Sequence, residues 1–121
     1  MFKERGDKEF VLDMFLACQK ILEYTQGLSL KDLEKDSKTI DAVVRNIEIL
    51  GEAVKNISDE FKNRYTDVEW RIIAKTRDKM IHFYFGINTL VLWRIIETDI
   101  PELLKKLQNI IEKEGWSDEI S

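Results

Sequence analysis

Arg77, Asp78, His82 and Tyr84 fall within the eight residues Arg77-Asp78-Lys79-Met80-Ile81-His82-Phe83-Tyr84, the stretch of this chain best equipped for chemistry. His82 is the single histidine. An imidazole with an ordinary pKa of about 6.5 can take or give a proton at neutral pH. Asp78 precedes it by one helical turn on the same face, where a carboxylate can fix its tautomer and orientation. Arg77 cannot shed its proton, so it requires a carboxylate, a phosphate, backbone acceptors or a water-filled cleft wherever it is drawn inward.

The element that carries these groups is predicted to be a helix over roughly 68–84. On a wheel, Arg71, Lys75, Asp78, Lys79 and His82 form a polar stripe, and Trp70, Ile73, Ala74, Met80, Ile81 and Tyr84 form a broad apolar arc with Arg77 in its middle. Arg77 and His82 point about 140° apart on an ideal helix. Two arrangements could bring them to one atom. Either the helix end unwinds near Phe83-Tyr84-Phe85-Gly86 and re-aims His82, or two copies of the chain face each other across a two-fold axis. The apolar arc is wider than the ~100° needed to face one core, which favours the second. Between residues 62 and 82 six cations stand against three anions. This is either a solvated helix face or a groove that tracks phosphates through Arg71, Lys75 and Lys79, with Trp70, Phe83, Tyr84 and Phe85 available to stack on bases.

Around that helix the chain reads as all-α. It has 121 residues, 44% hydrophobic and 35% charged, with five Gly and one Pro, a profile for long helices and a single domain spanning 1–121. Asp7 can cap a helix over 7–26 that stops at Gly27, and Ser29 with Asp32 suits a short capped turn. Asp36 or Ser37 can open a long helix with the stripe Ile40, Val43, Val44, Ile47, Leu50, Val54 and Ile57. Ser58 starts a short piece and Asn88 caps a later helix. Thr98-Asp99-Ile100-Pro101 reads as a restart or kink before a last helix carrying Leu103, Leu104, Leu107, Ile110 and Ile111. Residues 114–121 are open to fraying, with Trp116 able to fold back. The expected architecture is an antiparallel four- to five-helix bundle.

Composition also narrows the function. A net charge of −4 argues against a bulk electrostatic DNA binder. Cys18, the lone cysteine, has no partner for a disulfide or metal cluster and reads as a packing residue. No apolar run approaches the ~20 residues of a membrane span, and no signal-type segment follows the charged opening, so a cytoplasmic protein is expected.

The pattern Arg77-x4-His82-x-Tyr84 resembles the signature of the HEPN superfamily, and most of all that of the HepT toxins. Further likenesses are Ile47-Glu48-Ile49-Leu50-Gly51-Glu52-Ala53 to the family's second helix, Trp70 ahead of the motif, and Asn88 to Trp93 with Asp99-Ile100-Pro101-Glu102-Leu103 after it. The resemblance implies a homodimeric HEPN-like bundle that cleaves RNA without a metal or cofactor. It implies Arg77 and His82 as the catalytic pair and Asp78 as the polar residue beside them. It also implies a toxin–antitoxin pairing in which a minimal nucleotidyltransferase adds AMP to Tyr84. The alternative is a non-catalytic adaptor of such a nucleotidyltransferase, using Arg77 to hold a nucleotide.

Overall fold

The computed structural model describes residues 5–82 and 88–120, residues 81 and 82 by backbone alone, and every regular element among them is helical. The helices are α1 (Asp7–Thr25), α2 (Leu30–Glu34), α3 (Ser37–Asn56), α4 (Asp59–Arg64), α5 (Trp70–His82), α6 (Thr89–Arg94) and α7 (Ile100–Glu114). A π turn over Ile95–Asp99 joins α6 to α7, and a 3₁₀ turn over Ser117–Ile120 follows. The chain is therefore all-α, as expected. The proposed end of α5 near residues 83–86 lies outside the described residues.

Most helix starts are set by side chains that satisfy orphan backbone N–H groups. Ser29 and Asp32 form a reciprocal capping box, the Asp36 carboxylate accepts from Thr39 N at 3.0 Å, and Ser58 Oγ accepts from Phe61 N at 3.1 Å. Asn88 does the same for Leu90 N at 3.0 Å. The first helix departs from expectation. Gly6 rather than Asp7 occupies its cap, and the Asp7 carboxylate instead accepts from Ser58 N and Ser58 Oγ, both at 2.7 Å. A charged acceptor at a helix start can serve a neighbouring N-terminus as readily as its own. Here it ties the beginning of α1 to the end of α3, so those two helices run antiparallel.

Helix α1 packs on both α3 and α7, and α3 packs on α1 and α5. The shared core is built from Val11, Met14, Cys18 and Ile21 of α1, Val43, Val44 and Ile47 of α3, and Leu107, Ile110 and Ile111 of α7, all buried. Burial pushes the Cys18 thiol up to about 12, so it behaves as a small apolar side chain rather than a nucleophile. Helix α5 starts two residues later than the periodicity suggests. Val68 is buried in the preceding turn, Trp70 N donates to Val68 O at 3.0 Å, and the Trp70 indole donates to Tyr65 O at 3.0 Å.

The sequence around Pro101 reads as a helix restart or a kink, and α7 does begin at Ile100 with Pro101 in its first turn, while the helical run continues from α6 through the π turn without a gap. Pro101 offers no N–H to residue 97, and its ring would crowd that carbonyl in a regular helix. Widening the preceding turn, where Ile100 N–H reaches Ile95 O, accommodates both without a break. Of the two outcomes open to the tail, the structure takes the one in which Trp116 folds back. Gly115, at φ 78°, ends α7 in the left-handed conformation that a Cβ disfavours, and Trp116 N then donates to Ile111 O at 2.9 Å. Trp116 stacks on Phe61 with ring centroids 5.9 Å apart, and Lys8 pairs with Glu119 at 2.6 Å.

Candidate active site

The crossing of α3 and α5 decides where Arg77 can go. A Cβ built at Gly51 would lie 2.3, 2.5 and 2.8 Å from Cβ, Cγ and Cδ of Arg77. No real side chain tolerates such distances, so only glycine allows this approach. The aliphatic stem of Arg77 therefore lies directly on the α3 backbone. Its guanidinium emerges at Glu52, with Nη2 3.4 Å from a Glu52 carboxylate oxygen, while Nη1 is 3.7 Å from Asp78 Oδ1.

The Arg77 side chain is 20% exposed, whereas those of Glu52 and Asp78 are 62% and 57% exposed. The cation is thus partly desolvated, and its two counter-ions are free to swing into water. Arg77 Nε is buried and has no hydrogen-bond partner among the described residues. An unmet buried donor costs about 1–3 kcal/mol, a strain that structure alone does not require.

Beside this guanidinium is a cleft of ≈ 320 Å³ between the start of α1, α3 and α5. Phe10, Ile49 and Ala53 supply its apolar wall. Its other lining groups are cation–carboxylate pairs, Arg5 with Asp13 at 2.6 Å and Arg45 with Glu48 at 3.5 Å, alongside Arg77 with Glu52. Exposed Arg71, Lys75 and Lys79 occupy the outer surface of the same helix α5, with exposed Asp78 among them. On the α7 side of α5 is a smaller hollow of ≈ 120 Å³ with an apolar floor that includes Ile47, Leu50 and Ile73. Asp99 at its edge titrates above the usual carboxylate range because of its burial and the nearby Glu102 and Glu69. That hollow carries Glu69, Asp99 and Glu102 against Lys106, whereas in the Arg77 cleft each carboxylate is matched by an arginine.

Of the residues singled out in the sequence, the structure brings Asp78 to Arg77. The His82 side chain and all of Tyr84 lie outside the described residues. Glu52, Arg5 and Arg45 were missed. Glu52 was within reach of sequence reasoning, because an arginine on an apolar arc calls for an acid, and Gly51-Glu52 is the place on α3 where one follows a residue small enough for close approach. Arg5 and Arg45 carry no such local signal, since only the tertiary packing brings them to the cleft. Among the described residues no three of His, Cys, Asp and Glu gather as metal ligands.

A guanidinium held in a cleft, flanked by a cationic helix face, is equipped for phosphodiester recognition. A family model described as "Ribonuclease HepT-like" matches residues 14–110. The chain belongs to the HepT-like ribonuclease family. Among its HepT-like relatives, "Probable ribonuclease HepT" of Thermococcus cleftensis is 40% identical over 107 residues, covering 88% of this chain and 97% of that one. "Putative RNase MJ0127" of Methanocaldococcus jannaschii is 38% identical over 114 residues, 94% of each chain. "Putative RNase TTE0752" of Caldanaerobacter subterraneus is 44% identical over 97 residues, 80% of this chain and 87% of its own. No solved structure matches. Among the described residues no helix is long and apolar enough to cross a membrane.

Proposed function

We propose that this HepT-like chain is an RNA-cleaving toxin of the cytoplasm, acting as a homodimer and neutralised by a partner nucleotidyltransferase. The observation that carries the reading is the Arg77 guanidinium, held at a cleft by a helix crossing that admits only glycine. RNA brings its own nucleophile, so the protein needs to move a proton and stabilise charge on phosphorus. The 2′-hydroxyl attacks the adjacent phosphorus and loses its proton, the bond to the 5′-oxygen breaks, and that oxygen gains a proton. Products are a 2′,3′-cyclic phosphate and a free 5′-hydroxyl. His82 serves as the acid or base. Arg77 grips the phosphate with its planar donor fork, and Asp78 steadies Arg77 or the imidazole. Arg71, Lys75 and Lys79 hold flanking phosphates at the surface.

No step in this scheme calls on a metal. Cleavage of RNA by the purified protein should proceed unchanged in excess EDTA and leave cyclic phosphate ends, read by mass spectrometry of the fragments. Binding of RNA or nucleotide without any cleavage would favour the adaptor reading instead.

Neutralisation is placed at Tyr84, two residues beyond His82. Its phenolic oxygen would attack the α-phosphorus of ATP on the nucleotidyltransferase and release pyrophosphate. The AMP attached this way adds bulk and negative charge beside the phosphate site. Co-expression with the nucleotidyltransferase should raise the mass of the wild-type chain by one or more AMP units and silence it. Tyr84→Phe should stay unmodified and toxic. A silenced Tyr84→Phe variant would remove Tyr84 from the scheme.

A further inference from the structure

Every cation lining the Arg77 cleft already has a carboxylate, and the Arg77 pair differs from the other two. Arg5 and Arg45 are at the surface, with side chains 52% and 70% exposed. Arg77 is pinned underneath by Gly51, has an Nε without a partner among the described residues, and meets in Glu52 an acid that is mostly in water. An exposed carboxylate at 3.4 Å contributes little to stability. It nevertheless occupies the end of the guanidinium that a phosphate would take.

We infer that the Gly51–Glu52 step of α3 presets Arg77 for phosphate. Gly51 fixes where the guanidinium lies, and Glu52 occupies it as a removable placeholder that the RNA phosphate displaces. The inference rests on the reading of Arg77 as a phosphate-gripping residue. Carboxylate and phosphodiester each offer two anionic oxygens to the planar arginine fork, so one can stand in for the other. Keeping Glu52 there sets an affinity penalty that a polyanion must overcome. Gly51 is the positioning residue, and Glu52 is the competitor that tunes binding.

The two roles predict different kinetic signatures. Glu52→Gln keeps the side chain's size but removes the negative charge that a phosphate would meet. It should tighten binding of a fluorescein-labelled, mixed-sequence 2′-O-methyl oligoribonucleotide about threefold, the order expected for one charge at a partly exposed site. On cleavable RNA the same variant should lower KM and leave kcat nearly constant. Gly51→Ala forces α3 and α5 apart and moves Arg77. A shift of this kind is expected to lower kcat on the order of 10²-fold, with helicity retained by circular dichroism. If Gly51→Ala fails to fold, the Glu52→Gln arm still decides.

Arg77→Ala separates the two levels of the argument. Loss of cleavage in Arg77→Ala together with unchanged or weakened binding by Glu52→Gln overturns the placeholder and leaves the proposed function standing. Full cleavage by Arg77→Ala overturns the role of Arg77 itself, and the placeholder with it.

Discussion

His82→Ala should lose RNA cleavage by a factor on the order of 10²–10⁴, the range that one positioned acid or base supplies. No second histidine exists in the chain to take over. The backbone of α5 extends to His82, four residues beyond Asp78, so both belong to the helix that also fixes Arg77. Two further readouts distinguish proton transfer from a packing role. The pH–rate profile of the wild type should show an ionisation limb that is absent in the variant. Added imidazole should restore part of the lost rate, because a small base can enter the space left by the truncated side chain. Undiminished cleavage by a correctly folded His82→Ala chain would end the assignment.

Phe61→Ala should cost about 3–5 kcal/mol of folding stability, the range for truncating a buried phenylalanine. That is a large share of the total for an ordinary domain. Phe61 is 3% exposed and contacts three aromatic rings, Tyr65 at 5.0 Å, Trp70 at 6.4 Å and Trp116 at 5.9 Å. Truncation therefore loosens the start of α5 and the C-terminal tail together. The Tyr65 hydroxyl donates to Glu114, and Arg64 pairs with the same carboxylate at 3.2 Å, so α4 and the end of α7 share this cluster. Urea unfolding followed by tryptophan fluorescence should show the fall, and a loss below about 1 kcal/mol would mean that the cluster closes over the gap. Cleavage per folded molecule should persist, since Phe61 does not line the Arg77 cleft.

Much of this molecule follows from local rules that a sequence displays. Ser29, Asp36, Ser58 and Asn88 cap helices as their types and positions suggest, and the stripe from Ile40 to Ile57 faces inward with Val43, Val44, Ile47, Leu50, Val54 and Ile57 buried. What escaped the sequence depends on distant partners. Asp7 is an adequate cap by type, yet Ser58, 51 residues away, claims both its oxygens. Pro101 signals a break by chemistry, and a one-turn change of helix type absorbs it. For the site, a wheel could place Arg77 on an apolar arc. It could not reveal that α3 offers a glycine at the crossing point and an acid beside it.

The π turn has a rotational consequence for the whole C-terminal rod. Counting at 100° per residue, the buried positions Leu92, Ile95 and Ile96 and the buried or half-buried positions Ile100, Leu103, Leu104, Leu107, Ile110 and Ile111 lie on faces offset by roughly 70°. A turn closed by i→i+5 bonds advances more slowly per residue than an α turn, and five such residues cancel most of that offset. The irregularity thus acts as a phase corrector. Straightened into a uniform helix, the same run would swing Leu107, Ile110 and Ile111 off α1 toward water.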